Sequence, residues 1–366
     1  MHAAHVVNTL QTLQPEIQIE AMGGDALRAA GADIIVDNRE LAVVGLIEVL
    51  SHYPVIRRAL KQLESHLDSN APSLLVLVDY VEFNLKLAAY AKQRGIPVLF
   101  YVSPQLWAWR PGRIHNIGAR IDMMAVIFPF ETRLYEQHGI PVRYVGNPLV
   151  GKVKANQPRT EVITALQLNG NNPIVGLQPG SRRSEVKRLL PLFLQTAKEL
   201  LVSHPEMQFV LPVAPGIDKR EVIAQIDPSL PIVVSDTYSS YDLMQICNAI
   251  LTASGTATLE TALMGVPMVI AYKVAPLSYQ IFRRLIQIPN IGLVNIVAEK
   301  RIVSEFIQHN ATASAIAGEL RQILDNPTYR QTMINELGQV KKKLGNLDGA
   351  HEMASLIIEM LAANPT

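Results

Sequence analysis

Short apolar runs that stop at a small or polar loop and then pass into helical spacing recur along this chain. Ile174-Val-Gly-Leu-Gln reads as a buried strand, followed by a loop and an amphipathic helix across Ser184 to His204. Gln208-Phe-Val-Leu-Pro-Val, Ile232-Val-Val, Ala249-Ile-Leu-Thr-Ala and Met268-Val-Ile-Ala-Tyr continue the series, with helices near Arg220, Tyr241 and Leu259. The first half repeats it with Ile17-Gln-Ile-Glu-Ala, Asp33-Ile-Ile-Val, Leu74-Leu-Val-Leu-Val and Val98-Leu-Phe-Tyr-Val as strands. Strands alternating with helices predict parallel sheets covered on both faces, so the fold class is α/β with two Rossmann-like doubly wound domains. A chain of 366 residues is long for a single core, which agrees.

Val145-Gly-Asn-Pro-Leu-Val and the polar stretch from Lys154 mark the junction. The expected domains are 1–150 and 151–345, with a C-terminal helix within 346–366 whose packing partner the sequence leaves open. The start is unusual: His2 to Leu13 has helical spacing, and neither a strand nor a glycine turn precedes it, so a first βα strand is expected to be missing.

Composition removes several function classes. With 33 basic and 32 acidic residues the net charge is +1, which argues against a broad nucleic-acid surface. The single cysteine, Cys247, forbids an internal disulfide and reads as core filler. No apolar run reaches membrane-spanning length, and Met1-His-Ala-Ala-His lacks the regions of a signal peptide, so a cytoplasmic or peripherally attached protein is expected. Phosphate-loop, dinucleotide-fingerprint, Asp-x-Asp and His-Glu-x-x-His motifs are absent; neither a metal nor a cofactor is indicated.

Two loops carry the chemical signal. In Gln178-Pro-Gly-Ser-Arg-Arg-Ser-Glu, Gly180 permits close approach where a strand gives way to a helix, Ser181 follows, and Arg182 adds a charged fork. An anion such as a departing diphosphate suits such a place, although Arg182 could instead pair with a carboxylate such as Glu185. Thr252-Ala-Ser-Gly-Thr-Ala-Thr-Leu-Glu repeats the arrangement, with the small residues Ser254, Gly255, Thr256 and Thr258 before Glu260. Thr256 is placed to cap the helix. Glu260 is placed to accept ribose hydroxyls or merely to meet the helix dipole. Both loops together predict a site for the diphosphate of a sugar nucleotide at the carboxyl ends of a sheet.

Asp79-Tyr-Val-Glu-Phe-Asn, Tyr101-Val-Ser-Pro-Gln-Leu-Trp-Ala-Trp-Arg, Pro179-Gly-Ser-Arg and Ser254-Gly-Thr-Ala-Thr-Leu-Glu, in this order, resemble the lipid-A-disaccharide synthase family nearly end to end. The resemblance implies a GT-B glycosyltransferase with two Rossmann-like domains facing each other across a cleft. It implies metal-independent, inverting transfer from a UDP-2,3-diacylglucosamine donor to a 2,3-diacylglucosamine 1-phosphate acceptor, with release of UDP. Carried over by position, Asp79 looks like the general base; the alternative on pattern alone is a helix N-cap. Glu82 stands where the family has a second Asp, followed by the matching Asn84. Trp107 and Trp109 are expected to line the acceptor cleft or to pack in the core, and Arg110 to meet the acceptor phosphate or solvent. Asn295 matches a segment near the donor, but a buried turn Asn explains it as well. The family opens with a strand and a Gly-Glu-x-Ser-Gly-Asp loop, and this chain begins at the helix that would follow both.

Leu41-Ala-Val-Val-Gly-Leu-Ile-Glu-Val-Leu is strongly apolar and Arg57, Arg58 and Lys61 follow it. Such a helix can lie on a lipid surface or be buried against its own sheet. The acylated substrates implied by the resemblance favour peripheral attachment to the inner membrane through Val43, Leu46, Ile47 and Leu50. Two other readings compete: a UDP-N-acetylglucosamine 2-epimerase-like enzyme, which leaves Trp107-Ala-Trp109 unexplained, and a shortened UDP-sugar-binding protein without turnover.

Overall fold

The computed structural model describes residues 2–37, 39, 46–108, 111–275, 279 and 288–363. The chain forms two compact units, one of Met1–Val150 with Asn346–Thr366 and the other of Gly151–Gly345.

In the first unit, β1 (Glu20–Gly23) pairs in parallel with β2 (Asp33–Asp37). Four further strands, β3 (Leu75–Val78), β4 (Val98–Tyr101), β5 (Met123–Val126) and β6 (Val142–Tyr144), form a parallel sheet in sequential order. Because side chains alternate across a strand, one set of residues serves each face. Leu77, Phe100 and Met124 meet Phe83, Leu87 and Ala88 of the helix Val81–Lys92 and Ala59, Leu63 and Leu67 of the helix Leu46–Ser69. On the opposite face, Leu99, Tyr101 and Ala125 meet Val6 and Leu10 of the N-terminal helix and Met353, Leu356 and Ile357 of the C-terminal helix Gly349–Ala363. The C-terminal helix therefore packs on the N-terminal one, within the first unit.

This sheet is broken. β1 bonds only to β2 and β3 only to β4, so among the described residues the other edge of each carries no strand. Both apolar layers nonetheless run across the break. Met22, Ile35 and Val36 join the layer of Leu75 and Leu77, while Ile17 and Ile19 join that of Val76 and Val78.

The second unit holds one six-stranded parallel sheet in the order β12-β11-β10-β7-β8-β9. Its strands are β7 (Ile174–Gln178), β8 (Gln208–Pro212), β9 (Ile232–Ser235), β10 (Ala249–Ala253), β11 (Met268–Tyr272) and β12 (Glu305–Ile307). Central β7 and β10 are almost wholly buried, as their unbroken apolar character requires. Gly176 leaves room at this centre, since a Cβ there would lie 3.0 Å from Cys247 Sγ and from Ile250. Cys247 donates its thiol hydrogen to Leu243 O and burial pushes its pKa up, which fits an inert filler.

Candidate functional site

β7 and β10 are neighbours, and Thr252 pairs with Gln178, so the loops leaving them begin side by side. From β7 the chain continues to one side as β8 and β9, and β10 opens the other side. That boundary is the switch point of the sheet, where ligands of open α/β sheets settle.

Gly180 takes φ +119°, a conformation that disfavours side chains, and a Cβ there would fall 2.6 Å from Glu185 Oε2. Glu185, in the first turn of the helix Arg183–Ser203, folds back over the loop. Its Oε2 accepts from the Ser181 and Arg182 amides at 3.1 and 3.3 Å, and its Oε1 accepts from Arg182 Nη1 at 3.0 Å. The pairing of Arg182 with Glu185 is thus realised, and it displays the chemistry of the loop: these N–H groups are holding an anion, here the chain's own carboxylate. The Arg182 side chain stays 77% exposed, so its fork remains presented outward. At the end of β7, Gln178 Oε1 is buried without a hydrogen-bond partner, an unmet acceptor of a kind folded interiors rarely keep.

The second loop differs from expectation in its cap. Gly255, at φ +151°, is the N-cap of the helix Thr256–Leu263, and no side chain caps it. Thr256 is exposed, whereas buried Thr258 donates Oγ1 back to Gly255 O at 2.8 Å. Glycine holds the cap because Gly255 must adopt a left-handed conformation that Thr would resist. Ser254 Oγ donates to Ile291 O at 3.0 Å and ties the loop to the segment before the helix Leu293–Ala298. Glu260 is half-buried and accepts from the Tyr241 hydroxyl at 2.8 Å; burial and this bond push the tyrosine pKa upward.

Asn295 needs correction as a donor contact. Its Nδ2 donates to Val303 O and Glu305 Oε1, both at 2.8 Å, and its Oδ1 accepts from the Ile302 and Val303 amides at 2.8 and 3.0 Å. Two donors and two lone pairs are all an amide has, so this buried side chain has nothing left for a ligand. Glu305 also accepts from the amides of Ile291 and Gly292, so Asn295 and Glu305 together hold the segment that meets Ser254.

In the first unit the candidate residues gather at the carboxyl ends of β3 and β4. Asp79 and Tyr80 both have positive φ, 52° and 36°, and Val102 has 71°. Consecutive left-handed non-glycine residues, and a β-branched one just past the end of the neighbouring strand, are conformations that must be held in place. Asn84 does so at the first position. It is buried at 5% exposure, and its Nδ2 donates to Val78 O at 3.1 Å and Asp79 O at 2.7 Å. The N-cap of the helix Val81–Lys92 is Tyr80, without a side-chain bond, so the exposed Asp79 carboxyl is not spent on capping. Glu82 pairs with Arg113 at 2.7 Å on the surface.

Trp107 is half-buried, edge-on to Phe130, and donates its indole N–H to Glu131 Oε1 at 3.1 Å. Trp109 and Arg110 lie outside the described residues. So does Val43, and of Leu46, Ile47 and Leu50 only the helical backbone is described. Sequence reasoning missed Glu131, because an acid in the first turn of a helix reads as a dipole contact. It missed Tyr241 because nothing in the spacing joins it to Glu260.

A family model described as lipid-A-disaccharide synthetase matches residues 1–358. The lipid-A-disaccharide synthase of Geobacter sulfurreducens is 44% identical over 361 residues, covering 99% of this chain and 94% of that protein. That of Coxiella burnetii strain RSA 331 is 39% identical over 358 residues, covering 98% and 94%. Among solved structures, a UDP-GlcNAc 2-epimerase from Neisseria meningitidis bound to UDP-GlcNAc aligns with TM-score 0.61 and 15% identity, over 99% of this chain and 97% of that one. The glycotransferase of kitacinnamycin aligns with TM-score 0.64 and 14% identity, over 98% and 94%. At such identities these two show a shared fold alone, that of the GT-B type. Matched over residues 1–358 by the family model and over 99% of its length by a relative 44% identical, the chain belongs to the lipid-A-disaccharide synthases, a family of glycosyltransferases.

Proposed function

We propose that this glycosyltransferase moves a diacylglucosaminyl group from UDP-2,3-diacylglucosamine to 2,3-diacylglucosamine 1-phosphate, with inversion, giving the lipid A disaccharide and UDP. In this reading the first unit takes the acceptor and the second the donor. The observation that carries it is the pair of glycine-opened loops, after Gln178 and after Ala253, set side by side at the switch point of the second sheet.

The Ser181 and Arg182 amides and the Arg182 guanidinium take the diphosphate, in the place the Glu185 carboxylate now fills. Gly180 and the Ser254-Gly255-Thr256 loop let it approach the backbone, Thr258 shapes that loop, and Glu260, steadied by Tyr241, accepts ribose hydroxyls. Asn295 supports this site from behind. Asp79 takes the proton of an acceptor hydroxyl, whose oxygen attacks the anomeric carbon from the face opposite UDP. The bond from that carbon to the diphosphate oxygen breaks, and the charge left on UDP is met by donors already in place. Glu82, Asn84, Trp107, Trp109 and Arg110 form the acceptor side. Peripheral attachment to the cytoplasmic face of the inner membrane through Val43, Leu46, Ile47 and Leu50 would bring acylated substrates within reach. No helix of the described residues is long and apolar enough to cross a membrane.

Incubating the chain with both substrates tests the reaction. Disaccharide and UDP in equal amounts are expected; UDP binding without product would favour a binding protein, and epimerised UDP-sugar the epimerase. Leu46→Glu/Leu50→Glu should abolish partition onto anionic vesicles. Unchanged partition would remove the membrane contact.

A further inference from the structure

Beneath the Trp107 loop lies a buried carboxylate that the proposed reaction does not use. Glu131, the first residue of the helix Glu131–Glu136, is only 1% exposed. Carboxylates in the first turn of a helix ordinarily sit in solvent. This one is surrounded by donors. Oε1 accepts from Trp107 Nε1 at 3.1 Å and Oε2 from the Phe128 amide at 3.2 Å, while the Ser103 hydroxyl and the Ile127 amide also favour the charged form. Ser103 is itself buried and shares a 2.7 Å hydrogen bond with the Tyr135 hydroxyl. Glu131 therefore joins the loop that leaves β4, through Trp107, to the segment that follows β5, through the Phe128 amide.

We propose that Glu131 is a positioning residue for the acceptor: its carboxylate fixes the Trp107 indole, and with it the 103–108 loop, at the carboxyl ends of β4 and β5. The inference rests on the reading of Trp107 as part of the acceptor side. Its chemistry demands an acceptor on both oxygens. A protonated acid or an amide would turn a hydrogen toward Trp107 Nε1–H or the Phe128 amide, donor against donor, and release one of them. Burial pushes the Glu131 pKa up to about 7 against the pull of its hydrogen bonds, so this release falls within the neutral range. The titratable group touching the cluster among the described residues is Tyr135, on the same helix, whose hydroxyl burial holds far above that range.

The chain has two tryptophans, so Trp109→Phe leaves Trp107 as the sole indole reporter. In that background its emission should titrate once, with a midpoint near the Glu131 pKa of about 7, and Glu131→Gln should erase the titration. With Trp109 restored, Glu131→Gln should raise the acceptor KM about tenfold or more, as expected for loss of a charge-assisted bond, and leave the donor KM unchanged. Emission that ignores both pH and Glu131→Gln would overturn the positioning role and leave the proposed reaction untouched. A normal titration with an unaltered acceptor KM would instead remove the Trp107 loop from the acceptor side. An equal rise in both KM values, with a lowered melting temperature, would reduce Glu131 to a fold residue.

Discussion

Replacing Asn84 by alanine separates strain that serves the reaction from packing that serves the fold. Asp79 and Tyr80 are both left-handed, at φ 52° and 36°, and each such residue costs roughly 1–2 kcal/mol, about 2–4 together. Against this stand two hydrogen bonds from Asn84 Nδ2, to Val78 O and Asp79 O, each worth about 0.5–1.5 kcal/mol net. The two sums are of similar size. Without Asn84 the turn therefore has little reason to stay strained, and relaxing it recovers much of what the lost bonds cost. Denaturant unfolding should show a loss of only about 1–2 kcal/mol. A carboxylate displaced by about 1 Å, however, can cost about 100-fold in rate. The expected result in a steady-state assay is a kcat lowered about 100-fold, UDP affinity unchanged and stability little affected. Asn84→Asp should be worse on both counts, because an acceptor would then face two carbonyl oxygens. A kcat within about threefold of the unaltered chain would refute the idea that the strained turn aims Asp79. A stability loss beyond about 4 kcal/mol with UDP binding also lost would make Asn84 a fold residue only.

Three further outcomes follow from the geometry. The Glu131 carboxyl has its pKa raised from 4.5 to about 7, so folding pays nothing for it below pH 4.5 and the full penalty above 7. Relative to Glu131→Gln, the unaltered chain should therefore lose about 3 kcal/mol of stability as pH rises through that window, measured by urea unfolding at several pH values; a gain would show the sign to be wrong. Arg182→Ala should weaken UDP binding about tenfold or more, as removal of a charged hydrogen-bond partner does, and flatten its salt dependence in calorimetry. Tyr241→Phe removes the bond that steadies Glu260 and should weaken UDP binding about three- to tenfold; an unchanged Kd would take Glu260 out of the donor site.

How far the sequence foretold this molecule depended on whether a signal was local. Strands such as Ile174–Gln178 and Ala249–Ala253 were legible because burial on both faces forces an unbroken apolar run. Gly180 and Gly255 were legible because the positive φ that each strand-to-helix turn takes favours a residue without a side chain. Their adjacency was only inferred from the fold class, since β7 and β10 are joined by register and not by proximity in the chain. The cap at Gly255 was misassigned to Thr256 because hydroxyl preference was weighed and backbone sign was not. Asn295 looked like a ligand contact, while its partners at Ile302, Val303 and Glu305 lie in a neighbouring segment that no periodicity reveals. Glu131 and the strained Asp79-Tyr80 turn were invisible for the same reason: burial of a charge and the sign of φ belong to the packed chain.

Turnover by the Asp79→Asn variant tests the central claim most directly. With UDP-diacylglucosamine and diacylglucosamine 1-phosphate supplied in detergent, the unaltered chain is predicted to release UDP and form disaccharide in equal amounts. Asp79→Asn is predicted to bind UDP as tightly while forming no disaccharide above background. Disaccharide made by the variant at the unaltered rate would contradict the account, as would an unaltered chain that binds UDP and never transfers sugar.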